Sequence, residues 1–189
     1  MIAEFEILDG LPTTGPMYIP ISRNNNQYCS QGYTVKFFKD DESEWVANFE
    51  PGFTDFNGVF SFDDNCDILV IAGGTCYYMN PNEYKPISIF GGQYERLFKS
   101  SDGRLIIVDL IVITVFEPSG IYWHSSRISL DGFRDLELCD NVVSGLSFSP
   151  ECGGGSWERF SYDIDTKTLI GGSWNVRSIK KKYWWTFWK

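Results

Sequence analysis

Three short apolar segments recur at a fixed interval, and that interval limits what this chain can fold into more than any other feature of it. Ile68-Leu69-Val70-Ile71, Leu105-Ile106-Ile107-Val108 and the weaker Val142-Val143-Ser144-Gly145 begin 37 residues apart each time. A period in that range marks a repeated β unit such as a propeller blade. A second match supports it: Asn80-Pro81 in the first unit returns as Glu117-Pro118 at the same offset in the second.

Between these openings, brief apolar or aromatic runs alternate with turn chemistry. Asp67 to Ala72 leads into Gly73-Gly74, a pair suited to the positive φ of a tight hairpin, and Thr75 to Met79 runs back. Lys85 to Phe90 and Tyr94 to Phe98 complete the first predicted unit, with Asn80-Pro81-Asn82 and Gly91-Gly92 as turns. The second unit repeats the order: Arg104 to Val108, Ile111 to Phe116, Ile121 to Arg127 and Phe133 to Leu138. The third runs through Asn141 to Phe148, a Gly-rich loop over Glu151 to Ser156, Trp157 to Ile164, the turn Asp165-Thr166-Lys167, and Thr168 to Gly172. Upstream, Glu4 to Leu8 reads as a short strand, and Tyr33 to Phe38 with Glu44 to Phe49 as a hairpin closed at Pro51-Gly52. Phe53 to Phe62 reads as an irregular segment, because Gly58 and the lack of good helix formers argue against a helix. In the tail, bulky aromatics and Thr186 favour a strand from Lys182 onward.

The expectation is an all-β chain: an antiparallel meander of three four-stranded units of about 37 residues plus an N-terminal hairpin. Such a meander is propeller-like or an open curved sheet, with a two-sheet β-sandwich as the alternative. An aromatic content of 17% suits strands, and no linker-like stretch divides the 189 residues, so a single domain over 1–189 is expected.

Sixteen basic against 25 acidic residues leave a formal charge of −9, which repels phosphate backbones and argues against nucleic acid as a partner. The five cysteines, Cys29, Cys66, Cys76, Cys139 and Cys152, contain no C-x-x-C pair and read as small apolar residues of a reducing compartment. Acids at Glu4, Glu6 and Asp9, with breaks at Pro12, Pro16 and Pro20, are unlike a signal peptide. No apolar run approaches the ~20 residues that a membrane helix needs, so no membrane span is expected. The cytoplasm is the expected location.

Several segments form a recognisable ensemble over about residues 33 to 173: Glu44 to Phe49 with Pro51-Gly52, Ile68 to Gly74 followed by Tyr77, and Asp102-Gly103-Arg104-Leu105. Gly120-Ile121-Tyr122-Trp123, Arg127 to Gly132 and Asp163 to Gly172 belong to it as well. In this ensemble the chain resembles an uncharacterised family of small bacterial all-β, propeller-like proteins. The resemblance implies the fold and carries no activity or catalytic residue with it.

His124 is the single histidine, and Ser125, Ser126, Asp131 and Asp135 nearby invite a hydrolase reading. A triad needs a nucleophile on a strained turn and an acid behind the base, whereas here there is no G-x-S-x-G and His124 falls in a predicted strand. A surface or packing histidine is expected. Asp63, Asn65 and Asp67 match the first alternating ligands of a calcium loop, but Ile68 and Gly74 stand where the loop needs Gly and Glu. Gly153-Gly154-Gly155 is not followed by Lys-Ser/Thr and is no phosphate loop. In the tail, Lys180-Lys181-Lys182 beside Trp184, Trp185 and Trp188 fits an edge strand whose lysines protect it.

No catalytic residue, metal or cofactor is assigned. Trp123, His124, Arg127, Trp157 and Arg159 are the candidate binding residues, aromatic and arginine side chains being frequent interface anchors. The favoured function is a non-catalytic interaction module with a basic protein partner, its most concrete form an immunity-type partner of a basic toxin. A small-ligand or regulatory β module and a carboxylate-dependent hydrolase are the alternatives.

Overall fold

Turn chemistry and strand alternation place sixteen strands in a computed structural model that describes residues 4–15, 17–24, 31–62, 66–151 and 154–175. The tail strand expected from Lys182, the calcium-loop positions Asp63 and Asn65, and Cys29 and Cys152 lie outside these residues. The chain divides into two units, 1–95 and 96–189, at a point that composition does not mark.

In the first unit, β1 (Glu4–Leu8), β2 (Ile19–Ile21), β3 (Tyr33–Phe38) and β4 (Glu44–Phe49) form one sheet in the order β1-β3-β4-β2. β3 and β4 are the expected hairpin, paired from Tyr33 opposite Phe49 to Phe38 opposite Glu44. β2 has no counterpart in the sequence reading. It is three residues long, contains Pro20, and joins β4 in parallel with Ile19 opposite Ala47, so it shows no readable alternation and occupies an edge, where proline is tolerated.

A second sheet follows in meander order: β5 (Gly58–Ser61), β6 (Ile68–Ala72), β7 (Thr75–Met79) and β8 (Ser88–Gly91). Gly73 at φ 54° and Gly74 at φ 81° take the two left-handed positions of the β6–β7 turn, which side chains disfavour and which match the twist of a two-residue hairpin. The apolar faces of the two sheets meet in one core. Val35, Phe37, Trp45, Ala47 and Phe49 contribute from the first, and Ile68, Val70, Ala72, Tyr77 and Met79 from the second. The polar tips of its two largest aromatics are satisfied, as burial requires: Trp45 Nε1 donates to the Pro81 carbonyl at 2.8 Å and the Tyr77 hydroxyl to the Glu50 carbonyl at 2.6 Å.

The second unit repeats the scheme. β9 (Arg96–Lys99), β10 (Leu105–Val108), β11 (Ile113–Phe116) and β12 (Tyr122–His124) form a third meander sheet. β13 (Phe133–Cys139), β14 (Val142–Glu151), β15 (Gly154–Asp163) and β16 (Thr168–Gly171) form the fourth. Ile106, Val108, Ile113 and Val115 pack with Val143, Phe160, Tyr162 and Ile164 in its core.

The protein is thus all-β, and its described residues form four four-stranded sheets that are antiparallel except at β2–β4. Among the described residues helix is confined to 173–175. β6, β10 and β14 start at Ile68, Leu105 and Val142, the three positions of the sequence period. The phase of the repeat differs from the expectation: these strands are second in their sheets, so β9 and β13 open the next sheet instead of closing the previous one. Two boundaries also move. β12 ends at His124 rather than Arg127, because Ser125 bonds Ile113 through both its backbone N–H and its side-chain oxygen. In the Gly-rich stretch expected as a loop, the described residues are paired strand, with Glu151 opposite Gly154 and Pro150 opposite Gly155.

One end of the second unit is closed by ionic contacts. Arg104 lies between Asp102 and Asp165, 2.6 Å from each, and Asn141 donates to Asp165 at 2.8 Å. The Arg104 guanidinium, helped by the Ser100 hydroxyl, lowers the Asp102 carboxyl to about 2. A depressed carboxyl pKa contributes stability above the unfolded value near 4 and loses it as pH falls through the folded value. Asp102 is 45% exposed, so solvent screening reduces this contribution to roughly 1 kcal/mol. We expect Arg104→Met to be less stable than the parent at pH 7 and the difference to shrink between pH 4 and pH 2, read from urea unfolding at each pH. A difference constant over that range would show that Arg104 acts through packing alone.

Candidate functional site

Residues 52–57, the connection from β4 to β5, are fastened to two turns of the second sheet. Gly52 N–H donates to the Ala72 carbonyl at 3.0 Å, Phe53 N–H to Gly92 at 2.8 Å and Thr54 N–H to Gly73 at 3.0 Å. The Thr54 hydroxyl donates to the Tyr94 carbonyl at 2.7 Å, and Asn57 Oδ1 accepts from Gly73 N–H at 2.7 Å. Approach is close enough that a Cβ on Gly52 would stand 2.5 Å from the carbonyl oxygens of both Gly73 and Gly92; only glycine fits there. The connection is therefore a rigid platform despite its irregular backbone.

This platform carries a pocket of about 490 Å³ lined by Phe53, Thr54, Asp55, Phe56 and Glu95. Phe53 is 85% exposed, so a large apolar ring projects to solvent from a backbone that is itself hydrogen-bonded to Gly92. Asp55 and Glu95 are both exposed, and among the described residues neither belongs to an ion pair. Arg23 is fixed on the Gly91 carbonyl at 2.6 Å. The acid excess of the chain falls in the unit that carries this site: residues 1–95 hold 14 Asp and Glu against four Lys and Arg, whereas residues 96–189 hold 11 against 12.

The five binding candidates from sequence all fall in the second unit and do not converge. Trp123 packs inward, its ring 6.4 Å from that of Tyr162 and under the Lys167 ammonium at 4.2 Å. His124 is exposed; its Nδ1 is 2.8 Å from the Thr114 hydroxyl and its ring meets the edge of Tyr122. Ser125, the nearest hydroxyl in sequence, donates to the Ser126 carbonyl. Arg127 donates to the carbonyls of Ser129 and Leu130 and stacks over Trp174 at 4.3 Å, an arrangement that fixes the chain after β12. Trp157 and Arg159 share the face of β15 opposite Phe160 and Tyr162. There Trp157 touches Phe148 at 4.9 Å and lies under Arg134 at 4.3 Å. Two of the five, Trp157 and Arg159, thus belong to one cationic and aromatic patch.

The remaining motifs have structural roles where they are described. Asp67 accepts from the Tyr78 hydroxyl at 2.7 Å and from Asn80 at 3.0 Å. Asp163 holds the β15–β16 turn by accepting from the N–H groups of Asp165 and Thr166. Burial pushes the Cys76 thiol well up, in keeping with a small apolar role, while Cys139 is exposed. Among the described residues no group of three or more His, Cys, Asp and Glu could hold a metal, and no helix is long and apolar enough to cross a membrane. No known protein family, curated protein or solved structure matches this chain.

Proposed function

We propose that this is a non-catalytic protein-interaction module that takes a basic protein partner on its N-terminal unit, the most concrete form being an immunity-type partner of a basic toxin in a bacterial cytoplasm. The uneven charge supports the reading: a formal −10 falls on residues 1–95 and +1 on residues 96–189. A field of one sign over one unit accelerates encounter with a cationic surface and aligns it before contact, without any catalytic residue. The Trp157 patch is a weaker candidate, because Arg134 beside it is paired with Asp135 at 3.5 Å and its unit has almost no net field.

The test is affinity against ionic strength for a basic partner isolated on the immobilised protein. Steered association should weaken at least roughly tenfold between about 0.05 and 0.5 M salt, since the Debye length falls severalfold over that range. His124→Ala should leave that affinity unchanged. Salt-insensitive binding, or turnover of a hydrolase substrate that His124→Ala abolishes, would replace this reading with a small-ligand module or an enzyme.

A further inference from the structure

We propose that the pocket of Phe53, Asp55, Phe56 and Glu95 is a receptor for an arginine side chain presented by the basic partner. The proposal rests on the interaction reading and specifies its contact. Pocket chemistry selects among ligand classes by elimination. An anion would face two carboxylates that no cation neutralises within the described residues, inside a unit of formal charge −10. A purely apolar group would engage the Phe53 and Phe56 rings but leave both exposed carboxylates without a partner and partly dehydrated. A cation with a flat, weakly hydrated face satisfies both parts of the lining.

The guanidinium meets that description better than the ammonium of lysine. Its plane stacks on aromatic rings and its N–H fork pairs with carboxylates, while lysine is a compact and strongly hydrated point charge. Phe53 supplies a ring that is 85% exposed, on a backbone anchored to the Gly92 carbonyl at 2.8 Å. The anchored backbone matters here, because only the side-chain rotamer of Phe53 is left to order on binding. The one arginine anchored on the adjoining turn, Arg23, is engaged with the Gly91 carbonyl, and no ion pair joins it to Asp55 or Glu95.

Two arms test this on the full chain. In the first, acetyl-Gly-Arg-Gly-amide and its lysine and citrulline counterparts are titrated while backbone amide resonances are followed. The arginine peptide should shift the amides of Phe53 to Phe56 and of Tyr94 and Glu95, the lysine peptide should do so more weakly, and the uncharged citrulline peptide should not. The double variant Asp55→Asn, Glu95→Gln should lose the response. Equal shifts with citrulline, or shifts that persist in the double variant, would overturn the proposal.

In the second arm, affinity for the basic partner should fall roughly tenfold or more in that double variant and about tenfold in Phe53→Ala. Glu4→Gln, Asp9→Asn removes the same charge from exposed positions elsewhere in the unit and should change it less than about threefold. Salt-dependent partner binding with equal effects from both double variants would sink the arginine receptor and leave the interaction reading standing. Salt-insensitive partner binding alongside a specific peptide response would overturn the interaction reading and leave the pocket chemistry intact.

Discussion

Ile107→Asp is expected to abolish cooperative folding of the second unit. Ile107 is fully buried in β10, between Leu97 on β9 and Thr114 on β11, and all four residues of that strand are buried. A carboxylate there faces no cation in the register, so the chain must bury an unpaired charge or hold the group neutral far above its usual pKa. Either route costs more than about 4 kcal/mol, a large share of the 5–15 kcal/mol by which domains are stable. Ile107→Val, which removes one methylene, should cost only about 1 kcal/mol. The check is circular dichroism with urea unfolding of both variants. A cooperative transition for Ile107→Asp near the parent midpoint would show that β10 is not an interior strand.

Phe49→Ala is expected to have the next largest effect, about 3–5 kcal/mol, the range for deleting a buried phenyl ring. Phe49 ends β4 with no exposed surface and joins the two sheets of the first unit. Its ring lies 5.1 Å from Tyr77 and 6.3 Å from Phe37. Its position opposite Ile21 and Tyr33 also fastens β2 and β3. Phe49→Leu keeps most of the apolar volume and should cost less than half as much. The urea midpoint should fall at nearly constant slope, the signature of lost stability without a change in the surface exposed on unfolding. A loss below about 1 kcal/mol for Phe49→Ala would mean that this contact does not bind the sheets together.

Much of this fold is legible from spacing and turn residues, because a buried run and a tight turn each need particular side chains. The period of 37 residues predicts the start of β6, β10 and β14, and Gly73-Gly74 predicts its hairpin. Phase is not legible, because a strand such as Arg96–Lys99 follows one turn and precedes another, and nothing local says which neighbour it pairs with. Neither is β2, whose parallel partner is 28 residues downstream; its pairing is tertiary and leaves no local pattern. Glycine and serine in β14 and β15 hide paired strand for a related reason. Register supplied by Val142 to Phe148 continues into residues of low intrinsic strand preference.

The site is less legible still. An exposed phenylalanine and a buried one have the same letter, so Phe53 is indistinguishable from Phe62 until the turn that holds it is known. Trp123 illustrates the converse, an aromatic with the look of an anchor whose ring packs against Tyr162. A signal that points to this unit, though not to the pocket, was present: the acid excess in the first 95 residues is open to counting, but a boundary is needed before halves can be compared.

The interior position of the apolar runs governs how the protein fails. Ile68–Ala72 and Leu105–Val108 combine high strand preference with no charge, the composition of segments that stack between chains into fibrils. In the native protein each has a hydrogen-bonded neighbour on both sides. Among the described residues the edge strands are only three to seven residues long, and several carry charges, as with Glu4 and Glu6 on β1, Arg96 and Lys99 on β9, and Arg134, Asp135 and Glu137 on β13. Such edges resist adding a foreign strand. Heating should release the two runs together with their unpaired backbone groups, so thermal denaturation is expected to end in aggregation, with the lifetime of the heated native state set by its unfolding rate.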